Sequence, residues 1–115
     1  MSIDLTDPED AKLVTLARAN RARANVAQGA AVRDTDGRTY SAADVSLPSL
    51  QLTALQVAVA MACISGVGGL EAAVVVSDLD AVAGVDLAVV ADFAGSGVLI
   101  YRVDASGAVL ESVTT

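Results

Sequence analysis

Acidic side chains are the main candidates for chemistry in this sequence, because its 115 residues include no histidine and only one cysteine. Asp78, Asp80 and Asp86 follow an apolar run that is typical of a buried strand. Sites of α/β proteins often lie at the end of such a strand, and carboxylates there can transfer protons or bind a hard cation. Acidic loop residues are also common on solvated surfaces. The sequence therefore leaves open an enzyme that uses carboxylates.

The single cysteine, Cys63, lies in the apolar run from Val57 to Ile64. A nucleophilic cysteine needs a neighbouring cation or histidine to lower its pKa, and the adjacent sequence offers neither. We therefore predict a buried, unreactive thiol. One cysteine cannot form a disulfide within the chain, and Met1 to Asp4 lack the pattern of a secretory signal, so a cytoplasmic location is expected.

Charge and composition narrow the classes of partner. Fourteen acidic and seven basic residues give a net charge of -7, which repels phosphate backbones, so nucleic acid is not an expected partner. The local exception, Arg18, Arg21 and Arg23, is interpreted as the solvated end of a helix. Only 3% of residues are aromatic, so Ala, Val and Leu must fill the core. The length suits one domain, residues 1–115, and no apolar stretch is long enough to predict a membrane span.

The order of predicted elements is α-β-β-α-β-α-β-β. Asp7-Pro8 starts the first helix, and Asp36-Gly37 forms the turn of a hairpin. The second helix is predicted from about Leu50 to Ser65 with Ser49 as its cap, and it is apolar nearly all round. The remaining elements are a central strand at 70–77, a third helix at 80–93, and strands at 98–103 and 108–113. Two β-α-β crossovers predict parallel pairing in the middle of an α/β sheet with helices on both faces.

Several short segments resemble the small zinc-dependent cytidine deaminases. They are Asn25 to Val32, the turn Asp36-Gly37-Arg38, Tyr40 to Val45, Ala91 to Gly95 and Val98 to Tyr101. The resemblance spans nearly the whole chain. It implies a three-layer α-β-α domain with a mixed five-stranded sheet.

The same resemblance locates the expected metal site. In that family a zinc ligand and the catalytic glutamate open the second helix, and two cysteine ligands open the third. Alignment places Leu55 and Val57 at the first pair of positions, and Ala83 and Asp86 at the second. Zinc catalysis needs three protein ligands. We therefore expect no zinc, no other cofactor and no enzyme activity.

The nucleoside contacts of the family are also altered here. Its Asn-x-Glu motif corresponds to Asp44-Val45-Ser46, and its stacking phenylalanine corresponds to Val26. Three functions stay open. The first is an inactive structural or protein-interaction subunit, a homodimer or homotetramer joined through the apolar second helix, with any other partner unknown. The second is a small-ligand module that retains a remnant pocket around Val26, Asp44, Ser46, Leu55, Val57, Ala83 and Asp86. The third is the carboxylate enzyme.

Overall fold

The computed structural model describes residues 2–115, and within them the chain forms three helices and seven strands. In chain order these are α1 Pro8–Ala24, β1 Gly29–Asp34, β2 Thr39–Ala43, β3 Val45–Leu47, β4 Leu50–Leu52, α2 Ala54–Ile64, β5 Leu70–Val76, α3 Gly84–Ala94, β6 Leu99–Val103 and β7 Val109–Thr114. None of the helices in this range is both long and apolar enough to span a bilayer.

The main sheet has five strands in the order β2-β1-β5-β6-β7, with β5 at its centre. Only β5 and β6 run parallel, and every other neighbouring pair is antiparallel. The predicted mixed five-stranded sheet is confirmed. The expectation of parallel pairing at both crossovers is correct only for β5 and β6, because antiparallel β1 lies between β2 and β5.

Two apolar clusters cover the two faces of this sheet. One contains α1 residues such as Leu13 with Ala31 and Val74, and the other contains α2 residues such as Leu55 with Val32. Alternate residues of β1 thus enter opposite clusters, as the twofold period of a strand requires. Both faces are therefore buried under helices, and the predicted three-layer α-β-α arrangement is confirmed.

The start of the second helix differs from the prediction. Leu50–Leu52 pairs with Val45–Leu47 as a separate two-stranded hairpin, so the order of elements is α-β-β-β-β-α-β-α-β-β. Helix α2 begins at Ala54, where Thr53 caps the amide of Gln56 and the Gln56 side chain accepts from the Thr53 amide. This reciprocal cap defines the helix start better than Ser49 can.

The third helix and the cysteine also need correction. Helix α3 begins at Gly84 and not at Asp80, since the preceding residues form a loop that continues from β5. Cys63 lies on the exposed side of α2, so the prediction of a buried thiol is wrong. An apolar sequence run cannot by itself show which side of a helix is covered.

The hairpin turn between β1 and β2 forms as predicted, with Gly37 at φ 85°. Asp34 is fully buried beside it. Burial opposes ionisation of this carboxyl, but hydrogen bonds from the Tyr40 hydroxyl and the amides of Arg38 and Asp36 outweigh burial and lower the pKa of Asp34. Tyr40 also lies 2.8 Å from the Ser65 hydroxyl, which connects this turn to the end of α2.

Helix α1 approaches β1 so closely at Gly29 that a β-carbon there would lie 2.0 Å from the Ala17 carbonyl oxygen. We expect Gly29→Ala to lower the free energy of unfolding in urea by roughly 1–3 kcal/mol, the usual range for overpacking. Gly68→Ala is the matched control, because no atom lies within 4 Å of its added carbon. Equal urea midpoints for the two variants would contradict this close packing.

Candidate functional site

A polar cleft lies where the β3–β4 hairpin meets the first turn of α2. It has a volume of about 490 Å³. Its lining consists of Ala27, Gln28, Asp44, Val45, Ser46, Gln51, Leu52, Thr53, Gln56 and Val85. Six of these ten residues carry hydroxyl, amide or carboxylate side chains, and such groups can orient a small polar ligand.

Gln28 joins three elements at one wall of this cleft. Its backbone amide donates to the Asp44 carboxylate over 2.7 Å, and its side-chain oxygen accepts from the Ala54 amide over 3.3 Å. Ala54 is the first residue of α2, so its amide has no partner within the helix. Gln28 therefore holds the loop between α1 and β1 against both Asp44 and the start of α2.

Thr53 connects the cleft to a buried carboxyl group. The Thr53 hydroxyl donates to Asp86 over 2.6 Å and accepts from the Gln56 amide over 3.0 Å. Asp86 lies in the first turn of α3 and exposes only 1% of its surface. Burial raises the pKa of Asp86, and the hydrogen bond from Thr53 opposes part of that rise. Asp86 is therefore a stronger base than an exposed aspartate, and Thr53 stands between it and the cleft.

The structure brings together only some of the residues predicted for the remnant pocket. Asp44 and Ser46 line the cleft, and Asp86 reaches it through Thr53. Val26 lines a different cavity of about 520 Å³ beside Arg18 and Arg21.

The other three predicted pocket residues contribute no polar side chain. Leu55 is fully buried in the core, and Val57 packs partly buried against the same cluster. Ala83 is the residue before α3 and makes no side-chain cap. The apolar core thus occupies the start of α2 behind the cleft.

Sequence reasoning missed Gln28, Thr53 and Gln56 as residues of the site. The pattern Thr53-x-x-Gln56 is a capping-box signature and could have located both the helix start and the hydroxyl. Nothing local marks Gln28, because its partner Ala54 lies 26 residues away.

The carboxylates of the proposed acidic cluster are dispersed. Asp78 is exposed and pairs with Arg21 of α1 over 3.1 Å, whereas Asp80 is exposed and Asp86 is buried. Among residues 2–115, no three His, Cys, Asp or Glu side chains are arranged to hold a metal ion.

The residues at the family's metal positions do not fit zinc. Leu55 and Ala83 carry no donor atom, and the carboxyl of Asp86 is bonded to Thr53. The only thiol, Cys63, lies near the opposite end of α2. A catalytic zinc ion takes three protein ligands, and these residues cannot supply them.

Comparison with known proteins confirms the resemblance. The family model described as "Cytidine deaminase-like" matches residues 6–107. Among curated protein sequences, none is significantly similar to this chain. A solved cytidine deaminase from Mycobacterium tuberculosis is 28% identical, with a TM-score of 0.69, over 84% of this chain and 85% of that one.

Two further solved structures share the fold. Cytidine deaminase from Burkholderia pseudomallei is 22% identical over 90% of each chain, with a TM-score of 0.79. That from Mycobacterium leprae is 23% identical over 96% of this chain and 94% of its own, with a TM-score of 0.72. The prediction that this chain is not an enzyme is wrong, because the family model and the cytidine deaminase from Mycobacterium tuberculosis indicate an enzyme.

The raised pKa of Asp86 should make the free energy of unfolding depend on pH. Below the unfolded pKa of about 3.9 the carboxyl is protonated in both states, and its contribution to stability is complete. That contribution is lost as pH rises through the higher folded pKa, because ionisation is then costlier in the folded state.

We expect Asp86→Asn to remove this loss, so that the free energy of unfolding falls less from pH 4 upward than in the wild type. Urea titrations across this range measure the slope. Asp80→Asn, at an exposed position, should keep the wild-type slope. An Asp86→Asn slope equal to that of the wild type would refute the raised pKa.

Proposed function

This chain belongs to the cytidine deaminase-like family, and we propose that its polar cleft binds a nucleoside-like ligand. In this proposal Thr53 contacts the ligand and Asp86 is the proton-transfer group. The observation that carries the proposal is the double role of Thr53. Its side chain lines the cleft and also lies 2.6 Å from a buried carboxyl group. Buried titratable groups with shifted pKa values at a cleft are typical of functional sites.

The hydrogen bonding of Thr53 supports direct ligand contact. A hydroxyl has one donor hydrogen and two acceptor lone pairs. The Thr53 hydroxyl donates its hydrogen to Asp86, and one of its lone pairs accepts a hydrogen bond from the Gln56 amide. The second lone pair is available to a ligand hydroxyl, a ligand amino group or a water molecule. When Asp86 is ionised, it can take the Thr53 proton while Thr53 takes one from that donor, so that the negative charge of Asp86 passes to the donor.

The charges of the cleft favour an unphosphorylated ligand. None of its lining residues is Lys or Arg, and Asp44 places a carboxylate at its edge. A phosphate group would meet no cation there and would be repelled by Asp44. The amides and hydroxyls of Gln51, Ser46 and Thr53 suit the hydroxyl and amino groups of a neutral nucleoside. Cytidine is the first ligand to test, because the Mycobacterium tuberculosis relative is named a cytidine deaminase.

We predict that cytidine raises the melting temperature of the wild-type protein in a dose-dependent manner. At 100 times the dissociation constant, binding adds about 2.7 kcal/mol to the free energy of unfolding. Thr53→Val removes the hydroxyl and should abolish the increase, whereas Thr39→Val, on the exposed part of the edge strand β2, should retain it. Cytidine monophosphate should stabilise less than cytidine.

A flat response of the wild type to cytidine and related nucleosides would refute the proposed ligand class. An equal response of Thr53→Val and the wild type would refute the contact through Thr53.

A second proposal is that the chain forms a homo-oligomer through α2. Ile64 is 86% exposed and Met61 is 38% exposed at the end of this helix. Each directly follows a residue, Ala60 or Cys63, that lines a mostly apolar groove of about 350 Å³ between α2 and α3. The other lining residues are Gln56, Val59, Val89, Asp92 and Phe93. Large exposed apolar patches are uncommon on monomers, and a second copy of this chain is the occupant we propose.

We expect Ile64→Asp to shift the protein toward monomer in sedimentation velocity, because a charge would then be buried at the contact. Leu79→Asp is the control, since Leu79 is also exposed but lies in the loop after β5. A wild-type protein that is monomeric at micromolar concentration would refute the oligomer.

We also propose that the protein is located in the cytoplasm and does not bind nucleic acid. The single cysteine, Cys63, cannot form a disulfide within the chain, which supports a reducing compartment such as the cytoplasm, where free thiols persist. The net charge of -7 supports the absence of nucleic acid among the partners.

A further inference from the structure

The loop between β5 and α3 is held at two points by one pair of side chains from the neighbouring strands. Arg102 of β6 and Glu111 of β7 are opposite each other in the antiparallel pairing, with Arg102 Nε 3.2 Å from Glu111 Oε1. Arg102 Nη1 donates to the Leu79 carbonyl over 2.9 Å, and the Val82 amide donates to Glu111 Oε1 over 2.9 Å. The pair therefore holds the loop at two positions, Leu79 and Val82, which are three residues apart.

Helix α3 depends on this pair because its own start is weakly specified. Ala83 occupies the cap position and makes no side-chain hydrogen bond, and Gly84 follows it with the lowest helix propensity after proline. The Ala83 carbonyl accepts from the amides of Asp86 and Leu87, over 3.0 and 3.1 Å. Since Val82 precedes Ala83 directly, fixing Val82 fixes where this first turn begins.

We propose that Arg102 and Glu111 are positioning residues for the cleft, which set the first turn of α3 and thereby hold the Asp86 carboxyl against the Thr53 hydroxyl. The inference deepens the proposed function and rests on it, because it assigns the geometry of the same proton-transfer group.

The chemistry of the pair suits this task. A guanidinium presents several N–H groups in a fixed plane, so Arg102 can bond to a carboxylate and a carbonyl at once, which a single ammonium of lysine does less well. The two side chains are 12% and 30% exposed, so most of the surface of each is covered by protein. Glu111 Oε1 accepts from both Arg102 and Val82, and each bond holds the acceptor in place for the other.

The test compares Glu111→Ala with Glu111→Gln and with Asp104→Ala by NMR on the full chain. Glu111→Gln keeps an acceptor oxygen for Val82. Asp104 accepts hydrogen bonds from the amides of Ser106 and Ala108 in the turn of the same β6–β7 hairpin. Loss of its side chain therefore weakens that hairpin without removing a contact to the loop between β5 and α3. The readouts are the amide signals and hydrogen exchange of Asp86 and Leu87, and the pH titration of the Asp86 carboxyl carbon.

We expect Glu111→Ala to shift both amide signals, to speed their exchange, and to move the pKa of Asp86 down toward that of an exposed aspartate. Glu111→Gln should resemble the wild type, and Asp104→Ala should lower the melting temperature while leaving all three readouts in place. If Glu111→Ala does not fold, Arg102→Lys makes the same comparison, with a shift in the same direction.

The positioning role of Arg102 and Glu111 would be overturned if these readouts kept their wild-type values in Glu111→Ala. The same holds for Arg102→Lys where that variant is used. None of the readouts needs a ligand. A wild-type protein that binds no nucleoside would therefore refute the proposed function, while the amide and carboxyl signals would still decide whether the pair positions Asp86.

Discussion

The hydrogen bond between the Thr53 hydroxyl and the Asp86 carboxyl joins the N-cap of α2 to the first turn of α3, and the cleft lies against this contact. A buried carboxyl group without a partner would cost several kilocalories per mole, so the two helix starts must stay close for the fold to tolerate Asp86. The capping box of Thr53 and Gln56 orients the hydroxyl at one end. Arg102 and Glu111 restrain the loop at the other.

The rest of the fold supplies a rigid frame for this contact. Strand β5 is buried at the centre of the sheet, and its seven residues lead directly into the loop before α3. On the opposite face of the sheet, Gly29 lets α1 lie against β1. Gln28, directly before it, bonds to Asp44 and to Ala54 at the start of α2. A core of small aliphatic side chains permits such close approaches, because it leaves few bulky rings to separate the layers.

Much of this fold could be predicted from local patterns. Asp7 caps α1, the Asp36-Gly37 turn closes the first hairpin, and the continuous apolar run marks β5. The β3–β4 hairpin was missed because its strands of three residues are too short to show a period.

The site was harder to predict than the fold. Asp44, Ser46 and Asp86 came from alignment with the family's motifs, and the structure places all three in or next to the cleft. The contact between Thr53 and Asp86 joins residues 33 positions apart, so no local pattern reveals it. The exposed side of Cys63 depends likewise on how α2 packs, which sequence periodicity in an all-apolar helix cannot show.

Mapping backbone amide shifts during a cytidine titration shows whether a nucleoside-like ligand contacts Thr53 at the cleft. We expect saturable shifts concentrated at residues 44–46 and 51–56 and at Asp86, with few in the groove between α2 and α3. Shifts confined to that groove or to the cavity beside Arg18, or no shifts at all, would show that the ligand does not bind at the cleft.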